Sequence, residues 1–242
     1  MTDELLTVSG LMTNPPGSRS RAVTSRYIFL SYLWKVYIDA MKDINLRKRF
    51  SINVISTEKD VYRVFGKVPS QKYLVDYDVV LDIDMKDQTN AKDAPIKVFT
   101  NTPSWVFTYG YVFNKLKIIP KDLVWAIGKE AKNEKPKVTN PEESLGFDKV
   151  VHQFLLFMVN HAKLWKKEDF ERLIKSSKEK TFNSKNDTLS FEYKLSEYNK
   201  KKELFKEKER KEKQKERTKN QVLKKKVKDL EKKKQEKRKN KK

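Results

Sequence analysis

Four residues of one short segment carry the side chains that phosphodiester chemistry needs. In residues 77–86, YDVVLDIDMK, the even positions hold Asp78, Val80, Asp82, Asp84 and Lys86. A period of two puts the three carboxylates and the lysine on one face of a β-strand. Carboxylates grouped in this way could hold a magnesium ion beside a phosphodiester, with Lys86 orienting the attacking water. The same alternation also has a purely structural reading, in which Val79, Leu81, Ile83 and Met85 face a core and the charged side meets solvent. The second reading needs no further residue, so no catalytic residue is assigned and the metal-dependent nuclease stands as the alternative.

Other chemistries find less support. His152 and His161 are the only histidines, nine positions apart on one predicted helix, and at about 100° per residue they point to opposite sides. They cannot share a metal. The absence of cysteine removes disulfides, thiolate metal sites and cysteine nucleophiles. Neither GxxxxGK[ST] nor GxGxxG occurs, and six glycines leave little for phosphate-cradling loops. No cofactor is expected.

Charge gives the stronger clue. Of the formal net charge of +22, residues 200–242 supply +15, from 23 Lys or Arg against 8 Asp or Glu. A run of cations beside a phosphate backbone displaces condensed counterions and binds without reading sequence. Lys224, Lys225, Lys226, Lys228, Lys232, Lys233, Lys234, Lys237, Arg238, Lys239, Lys241 and Lys242 are the expected contacts to nucleic acid or another polyanion. Lysine is a mobile point charge, so these contacts are to phosphates rather than to base edges.

The elements that must position these residues follow from periodicity. Residues 1–25 contain NPPGSRSR and read as a flexible arm. From Arg26 to about Arg47, Phe29, Leu33, Val36, Tyr37, Ala40 and Ile44 make one helical stripe. SINVIST and DVYRVFGKV read as a strand pair, the segment around Asp82 as a third strand, and PIKVFTN as a fourth, giving an antiparallel sheet. Thr102-Pro103 opens a helix to about Asn114 that is apolar nearly all round. Another helix is predicted over about 143–165, with Phe147, Val151, Phe154, Leu155 and Met158 on one side. Residues 176–190 are polar and aperiodic and read as a linker to a tail over 191–242. That tail is rich in helix formers but has no continuous apolar seam, so a charged single helix or a disordered segment is expected.

Residues Phe99, Asn101, Pro103, Ser104, Phe107, Thr108, Tyr109, Tyr111 and Phe113 form a strand-then-helix block. This block resembles one in structural or DNA-associated proteins of bacteriophages that infect low-GC Gram-positive hosts. The resemblance spans at most residues 50–165 and transfers no catalytic residue; it implies a phage origin and a virion or DNA-associated role. Asp84-x-Lys86 likewise resembles the D/E-x-K element of restriction-type nucleases, whose further acidic residue on a preceding strand has only Asp60 or Asp76 to stand for it.

The expectation is an α+β domain over 26–175, with about four antiparallel strands and about three principal helices, followed by a linker and a basic tail. Its expected work is non-enzymatic: a phage structural or assembly protein whose tail binds nucleic acid, with other virion or assembly proteins as further partners. A protein–protein assembly module with a solubilising tail is the other alternative. No segment approaches the roughly 20 apolar residues of a membrane span, and the acidic opening Met1-Thr2-Asp3-Glu4 is unlike a secretory signal. The expected location is the cytoplasm of an infected cell, or the virion.

Overall fold

The computed structural model describes residues 6–13, 23–70, 75–136, 143, 148–177 and 179–239. It is an α+β structure built on a four-stranded antiparallel sheet in the order β1-β2-β3-β4: β1 Ser51–Glu58, β2 Val61–Pro69, β3 Asp76–Asp84 and β4 Ile96–Thr100. All four strands are rich in β-branched and aromatic residues, and β2 and β3 are buried on both faces, which fixes their register. Val64, for example, lies between Val54 of β1 and Leu81 of β3, and Leu81 pairs onward with Val98 of β4. All four are fully buried. The β1–β2 turn places Asp60 at φ 63°, a left-handed conformation that Asp tolerates better than most residues.

The helices are α1 Val8–Thr13, α2 Val23–Lys42, α3 Ile44–Arg47, α4 Pro103–Trp105, α5 Tyr111–Lys115, α6 Gly128–Asn133, α7 Lys149–Asn160, α8 Lys167–Ser176 and α9 Phe191–Lys239. A π-helical turn, Val106–Gly110, joins α4 to α5, and a 3₁₀ segment, Lys121–Ile127, precedes α6. No described helix is long and apolar enough to cross a membrane. By contact density the chain divides into a unit of residues 1–198 and a second unit of residues 199–242.

Within the first unit the sheet is covered on both faces. α7 packs on the face of Val64, Val79 and Leu81, with every residue from Val150 to Val159 buried. α8 joins it on that face, where Phe170 stacks on Tyr62 with ring centroids 4.9 Å apart. The opposite face meets Trp105, edge-on to Phe99 at 6.4 Å, and Phe182, 4.9 Å from Phe65. This second covering corrects the expectation of a solvated charged face.

Several boundaries also differ from expectation. Residues 6–13 are not an arm: Val8 and Leu11 are 1% exposed, and Leu6 carbonyl accepts from Ile96 N–H at 2.7 Å, covering the outer edge of β4. The NPPGSRSR segment lies outside the described residues. Ile44, assigned to the buried stripe of the first long helix, is 57% exposed, because Asp43 caps a new helix there and breaks the phase. The helix expected over 103–114 passes through a π-turn, an insertion that re-aims the following residues. Its Phe107 is not enclosed but lies 46% exposed, edge-on to Phe191. The helix expected over 143–165 is shorter. It begins after Asp148, whose carboxylate caps Val150 and Val151 N–H, and stops before Lys163, which has φ 57°. Of residues 176–190, expected as a linker, Ser176 ends α8, and Ser177 and residues 179–190 reach the sheet: Ser177 Oγ donates to Asn53 Oδ1 at 3.0 Å, and Leu189 is 5% exposed.

Candidate functional site

The four residues that could do phosphodiester chemistry fall into three different environments. Asp82 faces Arg63 across the β2–β3 register. Arg63 forks between two carboxylates, donating from Nε and Nη2 to Asp82 at 2.6 and 2.8 Å and from Nη1 and Nη2 to Asp122 at 2.7 and 2.9 Å. Planar two-pronged pairing of this kind is what guanidinium geometry favours. The guanidinium also lies over the Phe182 ring at 5.1 Å. Burial works against its charge, but hydrogen bonds and the field of both carboxylates hold its pKa above the ordinary arginine value. Burial likewise raises the Asp122 pKa, and Arg63 outweighs it, leaving the group below the usual carboxylate range. Asp82 is therefore committed to a structural ion pair.

Asp78 is buried and bound to different partners. Asn101 Nδ2 donates to its Oδ2 at 2.9 Å, and Lys194 Nζ of α9 lies 3.5 Å from the same oxygen. Burial raises its pKa, a shift that Lys194 and Asn101 oppose. Asp84, by contrast, ends β3 and accepts from Lys86 N–H at 3.1 Å, a local turn. Lys86 has left the strand and reaches Glu58 at 3.5 Å on the exposed rim. Among the described residues, no group of three or more His, Asp or Glu is placed to hold a metal ion. His152 is enclosed within α7, while His161 follows the helix and stacks on Phe157 at 4.7 Å.

A second polar cluster escaped sequence reasoning. Asp148 Oδ1 caps α7, and its Oδ2 accepts from Thr102 Oγ1 and from Ser104 Oγ, the latter at 2.8 Å. Thr102 Oγ1 in turn caps Trp105 N–H at 3.3 Å. Two helix starts are thus tied to one carboxylate beside a cleft of about 440 Å³ that Gln153 and Lys149 also line. Asp148, two residues before the largely apolar stretch 150–159, was the available cap signal. Arg63 and Asp122 gave none, because 59 residues separate them.

The cationic segment is helical. α9 carries the backbone of residues 191–239, which includes Lys224, Lys225, Lys226, Lys228, Lys232, Lys233, Lys234, Lys237, Arg238 and Lys239. The side chains of those ten lie outside the described ones, as do residues Lys241 and Lys242 altogether. Over residues 206–221 every side chain is exposed. Ion pairs within the helix, Lys206 with Glu203 at 2.8 Å and Lys211 with Glu207 at 2.6 Å, support it at three- and four-residue spacing. Compared with known protein families, curated proteins and solved structures, the chain matches none.

Proposed function

We propose that this is a non-enzymatic nucleic-acid-binding protein of structural or assembly type, in which a compact α+β unit is tethered to a polyanion by its basic helix. The observation that carries the reading is the net +15 on residues 200–242, of which residues 200–239 are helical, with no apolar residue between Phe205 and Val222. A helix of that composition has nothing to bury and much to neutralise. The commitment of Asp82 to Arg63 and of Asp78 to Asn101 and Lys194 weighs against catalysis on β3. A phage origin, which the resemblance of residues 99–113 implies, would suit an assembly role in an infected cell or virion.

The test compares the full chain with residues 1–198 for binding to duplex DNA over a salt series, with magnesium present and the DNA checked for cutting. The expected result is a steep salt dependence that vanishes with residues 199–242, and intact DNA. Binding that survives the truncation, or magnesium-dependent cleavage abolished by Asp84→Ala, would move the function to the sheet. Absence of binding by either form would favour a protein–protein assembly module.

A further inference from the structure

Within one stretch of the basic helix, residues 208–221, the glutamates are segregated. Residues 208–221 hold seven Lys or Arg and three Glu, and all of them lie within α9. At about 100° per residue, Glu209, Glu212 and Glu216 fall on a single stripe. The side opposite holds Lys211, Gln214, Thr218 and Gln221, with no acid among them. Both flanks between these two sides are cationic. One carries Lys206, Arg210, Lys213 and Arg217; the other carries Lys208, Lys215 and Lys219. The two flanks are about 170° apart, and successive cations on the first rise about 4.5–6 Å along the axis. Just before this stretch Glu203 and Glu207 fall on the side of Gln214, and each is neutralised by an ion pair, with Lys206 and Lys211 respectively.

An unoriented electrostatic tether has no use for such an arrangement, because only its net charge counts. A flat anionic surface would engage one flank and leave the other idle. A duplex groove has two phosphate walls and a floor of base edges, and the B-form major groove, about 12 Å wide, admits one α-helix. The A-form major groove is too deep and narrow for one. Accepting that the basic helix binds nucleic acid, we infer that residues 206–221 lie along the major groove of duplex DNA. Their two cationic flanks reach the two phosphate walls, Gln214, Thr218 and Gln221 face the floor, and Glu209, Glu212 and Glu216 face solvent.

Two full-length variants test this orientation. In one, Lys206, Arg210, Lys213 and Arg217 are all changed to Gln; in the other, Glu209, Glu212 and Glu216 are changed to Gln. Gln is a good helix former, and far-ultraviolet circular dichroism confirms that helix content is kept. Affinity for a 20-base-pair duplex and for a single strand of the same length is measured over a salt series. With about 0.9 counterions released per phosphate contact, the flank variant is expected to lose about 3.6 from the logarithmic salt slope on duplex. The glutamate variant gains three net charges yet is expected to change that slope by less than about 1. A slope in the glutamate variant that rises by about 2.7, or single-strand binding equal to duplex binding, would overturn the groove orientation while leaving the tether intact. A wild-type chain that binds no DNA would overturn both.

Discussion

His152 sits in the first turn of α7 at 4% exposure, and burial pushes its pKa from 6.5 down to about 4. The imidazole is therefore neutral in the folded chain and protonates in the unfolded one as pH falls below about 6.5. Stability from this group is complete above that value and is lost progressively as pH falls toward 4. At about 1.4 kcal/mol per pKa unit, the loss is on the order of 3 kcal/mol. Urea unfolding of wild type and His152→Asn at pH 7.5 and pH 4.5 should show the difference between them shrinking at the lower pH; a constant difference would contradict it. Asp122 behaves in the same sense lower on the scale, since Arg63 depresses its pKa and that stability goes only as pH falls through the depressed value. Asp78 runs the other way: burial raises its pKa, so its ionisation with rising pH costs stability. Arg63 joins the residue scale to the next. Its carboxylate partners come from β3 and the 3₁₀ segment, so one guanidinium fixes one covering layer on the sheet.

At the scale of elements, the β1–β2 pair depends on one close approach. A Cβ at Gly66 would stand 1.9 Å from the Ser51 carbonyl oxygen and 3.0 Å from the Phe154 ring. The nearer obstacle is backbone, which cannot rotate away as a side chain would. Gly66→Ala is therefore expected to destabilise by about 3 kcal/mol, the upper end for overpacked sites. Chemical denaturation would show this as a lower midpoint, and a change under 1 kcal/mol would mean that β1 shifts freely. The hydrophobic alternation of β3 was legible because it stands in neighbouring residues. What covers its charged face was not legible, because Asp122, Phe182 and Lys194 reach it from distant segments with no local signature. Helix starts fared similarly. The Thr102-Pro103 cap reads directly from sequence, yet the shared Asp148 ties it to α7 only in three dimensions.

For the molecule as a whole, the useful boundary falls after Tyr198 rather than near residue 175. Phe191 is 7% exposed and Lys194 is 6% exposed, whereas no buried residue is found beyond them among the described ones. A chain of residues 1–198 should melt within about 2 °C of the full chain, because no described core residue is lost. Ending at residue 190 removes a buried Phe worth about 2–3 kcal/mol, which at about 2–4 °C per kcal/mol lowers the melting temperature by about 4–12 °C. Calorimetry on both truncations decides it, and equal melting would place Phe191 outside the cooperative unit. The sequence by itself determined the antiparallel strands, the Thr102 cap and the basic charge of the tail, since each is written in residues adjacent along the chain or one helical turn apart; it left open whether that tail is helical. Only the tertiary structure decided that Asp78 and Asp82 belong to ion pairs beneath a covering layer and that residues 6–13 and 179–190 belong to the packed body. Those outcomes turn on what a side chain meets across tens of residues, and burial and pairing there are set by the layers that close over it.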